Sequence, residues 1–290
     1  MDKNISIVIP AKNEAANLEE LLPELRTLYP QEEIIVVDDG STDNTVHVCE
    51  SHHVKVIKHP YSKGNGAAIK TGAQAASSEV IVFMDADGQH KPADIEHLFN
   101  KFSQGYHMVI GARGPGSHAS LGRRLANGIY NTLSSWMTGH QILDLTSGFR
   151  IVNAARFREF LHMLPNGFSY PTTITMAFFR AGYSVGYQPI EAMKRGGKSH
   201  IKPIKDGIRF FLIIFKVGTL YSPLKLFLPI SFLHFVTGAC YYLYTYITAG
   251  RFTNMSALLL TTSIIIFIIG LVSEQITTLQ YANQNARRNN

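Results

Sequence analysis

The chain has 290 residues, of which 46% are hydrophobic and 17% charged, with a mean hydropathy of +0.03. That balance is too apolar for folded soluble domains alone. The whole net charge of +6 sits in residues 201–290, where eight basic and two acidic residues lie among apolar runs, while residues 1–200 balance. A nucleic-acid binder would carry its basic stripe on the folded domain, so this placement excludes nucleic acid as the partner and points to a membrane surface.

Cys49 and Cys240 are too few and too far apart for a disulfide framework or a zinc site, which fits a reducing compartment. Asp2, Lys3 and Asn4 lead into only a short strand-like run, unlike a signal peptide.

Ile5 to Pro10 predicts a strand closed by proline, and Asn13-Glu14 opens a helix in which Leu18, Leu21, Leu22 and Leu25 recur at helical spacing. Glu33 to Asp39 predicts a second strand ending in paired carboxylates. It passes into Gly40-Ser41-Thr42-Asp43-Asn44-Thr45, a turn with several candidate N-caps for the next helix. Val54 to Ile57 reads as a third strand, and Gly64-Asn65-Gly66-Ala67-Ala68 starts an alanine-rich helix. Val80 to Met84 is a fourth strand running into Asp85-Ala86-Asp87-Gly88-Gln89-His90, and Met108 to Arg113 is a fifth. Residues 114–128, glycine-rich and basic, read as a mobile loop entering a helix with Asn131, Leu133 and Trp136. Asp144 to Arg150 reads as a polar turn, followed by helices over about 154–163 and 170–180, a late strand over 185–190 and a basic loop from Lys194 to His200.

Strands alternating with helices through Arg113 predict an α/β domain with a mostly parallel sheet covered on both faces. Ligands bind such sheets at the carboxyl ends of the strands, where Pro10, Asp38-Asp39, Asp85-Asp87 and Arg113 all fall. Asp85 and Asp87 stand at i and i+2, so on extended backbone they point to one side. Mg²⁺ prefers one or two carboxylates completed by substrate phosphate oxygens. Alone, the Asp-x-Asp-Gly run fits an ordinary strand-to-turn exit equally well; four such strand ends on one edge favour a metal-diphosphate site.

From Pro203 to Leu220 the apolar spacing suits a helix lying in a bilayer interface with snorkelling lysines, or an amphipathic core helix. Leu226 to Ile247 has no Asp, Glu, Lys or Arg, and Ala257 to Ser273 is a second such run, continuing past Glu274 to Leu279. Each reaches about 30 Å as a helix, enough to cross the hydrocarbon. They predict a transmembrane hairpin with Thr248 to Asn254 as its far-side loop and Glu274 as a structural residue near the interface. Lys202, Lys205, Lys216, Lys225, Arg287 and Arg288 then lie on the near side, and only Arg251 on the far side. The positive-inside rule places the N-terminal domain and both termini in the cytosol, with the hairpin in the cytoplasmic membrane. The expected division is a cytosolic domain over 1–200, juxtamembrane amphipathic helices over 201–223, a hairpin over 224–279 with helices at about 226–247 and 256–279, and a cytosolic tail over 280–290. The hairpin also offers a route to a homo-oligomer.

With these residues in hand, the chain resembles the family 2 glycosyltransferases of GT-A (Rossmann-like) fold. Within them it is most similar to the polyisoprenyl-phosphate type, such as dolichol-phosphate mannose synthases and bactoprenol glucosyltransferases. The matching pieces run in order over about residues 5–200: Ile9-Pro10-Ala11-Lys12-Asn13-Glu14, Val37-Asp38-Asp39-Gly40-Ser41-Thr42-Asp43, Gly64-Asn65-Gly66-Ala67-Ala68, Asp85-Ala86-Asp87-Gly88-Gln89-His90, Gly111-Ala112-Arg113, Asp144-x-Thr146-Ser147-Gly148-Phe149-Arg150 and Arg195-x-Gly197-Lys198-Ser199. Each is weak alone; together they are specific.

The resemblance implies a nucleotide-sugar donor, a polyisoprenyl-phosphate acceptor in the bilayer, and Mg²⁺ or Mn²⁺. It implies that Pro10, Lys12 and Glu14 line the nucleotide site, that Val37 and Asp39 lie near base and ribose, and that Asp85 and Ala86 sit beside the nucleotide. Asp87 and Gln89 would hold the metal on the diphosphate. Arg113, Arg124 and Arg195 would meet the phosphates of donor and acceptor, and the anomeric centre would be inverted. Gly88 stands where mannose synthases more often carry leucine, which weakens the case for mannose, and His200 stands where lysine is more usual, so the basic run there differs slightly in length. Asp144 reads equally as a group orienting the acceptor or a basic side chain and as a cap of its turn. Arg150, which ends the same motif, reads equally as a structural ion-pair partner. A processive polysaccharide synthase would be expected to carry Gln-x-x-Arg-Trp, whereas the one tryptophan, Trp136, sits in Ser134-Ser135-Trp136-Met137. A non-catalytic membrane scaffold of the same fold is the remaining alternative.

Overall fold

A computed structural model describes residues 4–114, 121–167, 170–191, 215 and 218–288. The chain divides into two units, residues 1–201 and 202–290.

In the first unit the apolar β-branched runs form seven strands: β1 (Ile5–Ala11), β2 (Glu33–Asp38), β3 (Lys55–Lys58), β4 (Val80–Phe83), β5 (Met108–Arg113), β6 (Arg150–Asn153) and β7 (Val185–Ile190). They make one sheet in the order β3-β2-β1-β4-β6-β5-β7. All neighbours are parallel except β6, which runs antiparallel to both β4 and β5. The strand β6 departs from the sequence expectation of a turn running to Arg150. Four residues carry too little periodicity to separate a strand from the end of a loop; pairing on both edges decides it.

Helices cover both faces, as continuous burial of β1 requires. Alternate side chains Ile5, Ile7, Ile9, Ile34, Val36, Val82, Val109 and Ile151 pack with α1 (Ala15–Leu28), α2 (Thr45–Ser51) and α4 (Asp94–Phe102). Leu18, Leu21, Leu22 and Leu25 form the buried stripe of α1. Helix α3 (Asn65–Ala75) contributes buried Ala67, Ala68, Ile69 and Ala73 and lies against β1 and β2. Helices α5 (Leu121–Thr138), α6 (Ala154–Arg158) and α7 (Tyr170–Arg180) complete the unit. Helix α6 stops well short of the expected Met163, the chain continuing in turns.

At the amino ends of the strands, Glu33 accepts from Ser6 Oγ (2.6 Å), Ser77 N (2.8 Å) and Lys55 Nζ (3.0 Å), joining three strands. Burial would raise this carboxyl, but these hydrogen bonds outweigh it and hold it down to about 2.

In the second unit, α8 (Pro223–Ala249) and α9 (Asn254–Arg288) form a hairpin. Both are long and apolar enough to cross a membrane. Polar groups meet between them: Ser231 and Ser263 each donate to the other's carbonyl (2.9 and 3.0 Å), and Glu274 accepts from Leu224 N in the first turn of α8 (3.2 Å). Glu274 is therefore a cap on the partner helix's N-terminus, where a carboxylate is favoured. Phe232, Leu233, Tyr244 and Ile247 face outward. The expected interfacial helix over 203–220 lies mostly outside the described residues.

Because Glu33 is depressed, its contribution is present above its ordinary value of 4.5 and is lost as pH falls toward about 2. Glu33→Gln should lower the melting temperature at neutral pH and flatten the loss of stability across that acid window, measured by thermal unfolding in buffers spanning it.

Candidate active site

Strand order reverses at β1, which has β2 on one side and β4 on the other. The crevice at such a switch point is where doubly wound sheets hold ligands. A cavity of about 420 Å³ lies there, lined by Pro10, Ala11, Lys12, Glu14, Asp39, Ser62, Gly64, Asn65, Ala68, Asp85, Ala86, Asp87, Thr146, Gly148, Tyr170 and Pro171.

The loops around it are stitched to one another. Ser41 Oγ accepts from Asn13 N (2.8 Å), Asp43 from Ala15 N (3.2 Å), Thr45 Oγ1 from Glu14 N (3.0 Å), and Asn13 Oδ1 from Thr42 N (2.8 Å). The residues expected to cap α2 thus mostly cap α1 and fix the β1–α1 loop that carries Lys12 and Glu14. Lys12 is exposed in the cavity.

Asp39 accepts from His59 Nδ1, Ser62 Oγ, Lys63 N and Gly64 N, all at 2.7–2.8 Å. A carboxylate has about four acceptor positions, so Asp39 lines the cavity chiefly by folding the 59–64 loop. Burial would raise its carboxyl; the bonds from His59 and the loop bring it down to about 2. His59 also reaches Thr71 Oγ1 (3.0 Å), tying the loop to α3. Gly64 has φ +105° and a Cβ there would strike the Asn166 carbonyl, so that loop packs directly on the turn before α7. Val37, expected near the base, has its side chain fully buried against Gly72 and does not line the cavity.

Asp85, Ala86 and Asp87 follow the end of β4 in a bend and line the cavity. The Gly148 backbone lies so close to Asp85 that a Cβ there would sit 2.5 Å from its Oδ2. Behind Asp85, buried His90 stacks on Phe149 at 4.8 Å and places Nε2 3.6 Å from Asp85 Oδ2. Gln89 donates its backbone N–H to Asp87 Oδ1 (3.2 Å) in the same bend. No group of three or more His, Cys, Asp or Glu side chains converges among the described residues. A cation here would draw most of its ligands from a substrate, as Mg²⁺ does when one or two carboxylates are completed by phosphate oxygens; Gln89 is not among the residues lining the cavity.

Arg113 and Asp144 form a two-pronged ion pair, Nε–Oδ2 2.8 Å and Nη2–Oδ1 3.0 Å, and Arg113 also donates to Thr146 Oγ1 (2.6 Å). Asp144 accepts in addition from Thr146 N and Ser147 N (3.0 and 3.1 Å). It therefore both orients a basic side chain and caps its turn. Burial would raise the Asp144 carboxyl, and Arg113 holds it below the usual range. Burial would lower the Arg113 guanidinium, but Asp144, with Asp85 and Asp87 nearby, raises it. Arg124 lies on α5 with its side chain outside the described residues, as Arg195 is entirely.

Arg150 is fully buried without a carboxylate partner among the described residues. It donates to the Ser147 carbonyl, the Pro171 carbonyl (3.2 Å) and Thr175 Oγ1 (3.2 Å), joining the two backbone segments that bear Gly148 and Tyr170. His59, Tyr170 and Arg150's clamping role carry no local sequence signal, since each depends on a partner far along the chain.

Residues 6–162 match the profile "Glycosyl transferase family 2". The chain belongs to glycosyl transferase family 2. Residues 222–279 match a second profile, "GtrB C-terminal hairpin". An uncharacterized Methanocaldococcus jannaschii protein is 34% identical over 50% of this chain and 63% of its own length. Glycosyltransferase AglJ of Haloferax volcanii is 24% identical over 95% of this chain and 94% of that protein. Polyprenol monophosphomannose synthase of Mycolicibacterium smegmatis is 29% identical over 65% and 77%. Among solved structures, glucosyl-3-phosphoglycerate synthase of Mycobacterium tuberculosis with Mn²⁺, UDP and glucosyl-3-phosphoglycerate shares the fold, with TM-score 0.60 and 20% identity over 74% of this chain and 78% of that one.

Arg150→Met removes the guanidinium donor from the Ser147 carbonyl, at about 1–3 kcal/mol for a stranded buried acceptor, while the Pro171 carbonyl keeps its bond from Thr175 Oγ1 (2.8 Å). The variant should unfold several degrees lower than the parent in a thermal melt, and Arg150→Lys should recover part of the loss.

Proposed function

We propose that the protein is a membrane-bound inverting glycosyltransferase that moves one sugar from a UDP- or GDP-sugar to the phosphate of an undecaprenyl- or dolichyl-type polyisoprenyl phosphate. The observation that carries this reading is the switch-point cavity, in which Lys12, Asp85 and Asp87 meet one space. The GtrB-type hairpin profile and the name of the M. smegmatis relative support the lipid acceptor. The Mn²⁺ and UDP in the M. tuberculosis structure support the donor.

Asp87 and Gln89 would hold Mg²⁺ or Mn²⁺, which when bound supplies Lewis-acid stabilisation to the leaving nucleoside diphosphate. The protein's own residues supply alignment and charge. Lys12 offers an ammonium to the diphosphate from the edge of the cavity. Arg113, fixed through Nε and Nη2 by Asp144, adds a second cation at a set position, and Arg124 and Arg195 are assigned to the phosphates of donor and acceptor by the family motifs. Pre-oriented cations of this kind stabilise charge developing on the leaving group without reorganising.

Asp144 is depressed and occupied by Arg113, so it is poorly suited to take a proton at neutral pH. A lipid monophosphate is already anionic there and needs no strong base. The acceptor oxygen attacks the anomeric carbon as the bond to the diphosphate oxygen breaks, inverting the centre. A cytosolic side for the catalytic unit is the reading supported, through the positive-inside rule, by Lys225 and Arg287 at one end of the hairpin against Arg251 at the other.

Purified protein incubated with radiolabelled UDP- and GDP-sugars and polyprenyl phosphate should yield lipid-linked monosaccharide. Long polymer would point to a processive synthase, and no transfer from any donor to a scaffold. Asp87→Ala should reduce transfer by at least about 10²-fold while the protein stays folded and membrane-bound; near-normal turnover would remove the metal assignment.

A further inference from the structure

On helix α5, Tyr130 and Met137 are buried in the domain, while Ile129 and Trp136, one heptad apart and so on one face, are 58% and 51% exposed. The next loop adds Leu143, 47% exposed. That loop is fastened to the helix: Asn131 Nδ2 donates to the Leu143 carbonyl (2.8 Å), Leu145 N to Asn131 Oδ1 (3.2 Å), and Ile142 N to Ser135 Oγ (2.9 Å). Asp144, the partner of Arg113, follows Leu143 directly. Residues 114–143 contain no Asp or Glu but carry Arg123 and Arg124.

We propose that this face of α5, with Leu143, rests in the headgroup boundary of an anionic bilayer. The chemistry matches on three counts. A lone tryptophan with flanking aliphatic side chains is the composition of an interfacial anchor. Residues 128–143 carry no acidic side chain that would repel anionic lipid. The same chain carries a hairpin fit to cross that bilayer. The consequence concerns the acceptor: the bilayer surface is brought within one residue of the Asp144–Arg113 pair, so a phosphate at headgroup depth meets the site without leaving the membrane plane. This rests on the proposed reading of the hairpin as a membrane anchor, not on the identity of the sugar.

Trp136 is the only tryptophan, so its fluorescence reports this face alone. Full-length protein is reconstituted into vesicles of phosphatidylethanolamine and phosphatidylglycerol with or without shallow-brominated lipid, and co-flotation is scored alongside. Blue-shifted emission quenched by the brominated lipid supports the proposal. Emission at the wavelength of water-exposed tryptophan, unquenched in protein that floats with the vesicles, overturns it. A blue shift that is unquenched and grows with protein density overturns it in favour of a second copy. Failure to float removes the anchor and the proposal with it. None of these readouts requires sugar transfer, so an inactive preparation leaves the test intact. As a kinetic arm, Ile129→Ser/Trp136→Ser should raise KM for vesicle-embedded polyprenyl phosphate about tenfold and leave turnover of a short, water-soluble prenyl phosphate unchanged; equal KM values with the embedded acceptor would overturn the proposal.

Discussion

The site depends on one topological constraint, the reversal of strand order at β1. Loops leaving β1, β2 and β4 diverge over the sheet edge and leave a crevice that no side chain of the sheet can fill. A crevice so formed is useful only if its walls are rigid. Here rigidity comes from short polar side chains donating to and accepting from backbone groups of neighbouring loops. Asn13, Ser41, Asp43 and Thr45 lock two loops together, Asp39 gathers the loop after β3, and Asp144 gathers the loop before β6.

Carboxylates at this edge fall into two groups with opposite duties. Asp39 and Asp144 are almost fully buried and bonded to capacity, and their lowered pKa values record the donors around them. Asp85 and Asp87 are only partly buried and open on the cavity. The basic side chains divide in the same way. Arg150 serves backbone carbonyls inside the wall, Arg113 is half committed to Asp144, and Lys12 stands in the cavity. Charge is thus spent inside the walls to hold a smaller set of charges in place at the surface that a diphosphate would meet.

The second unit solves a different solvent problem. Its outward face is apolar along its length, so its polar atoms must be satisfied within the hairpin. The Ser231–Ser263 exchange and the Glu274 cap on α8 do this with groups that sequence alone shows only as interruptions in apolar runs.

Periodicity and motif order in the sequence determined the α/β class, six of the seven strands to within a residue or two, the edge at which ligands bind, and the two apolar helices. Those features follow from local rules: burial on both faces demands continuous apolar strands, and a membrane span demands about twenty apolar residues. Helix α4 was passed over although Ile95, Leu98, Phe99 and Phe102 recur at helical spacing, and the antiparallel β6 escaped because a four-residue strand carries little local pattern. Roles escaped more often than positions. The Val37 side chain is buried, Asp39 and the Ser41–Thr45 run brace loops, and Arg150 joins Ser147 to Pro171 and Thr175 across more than twenty residues of chain. Only the tertiary structure could decide these, because whether a carboxylate or a guanidinium is available to a ligand depends on which distant backbone groups have already taken its hydrogen bonds.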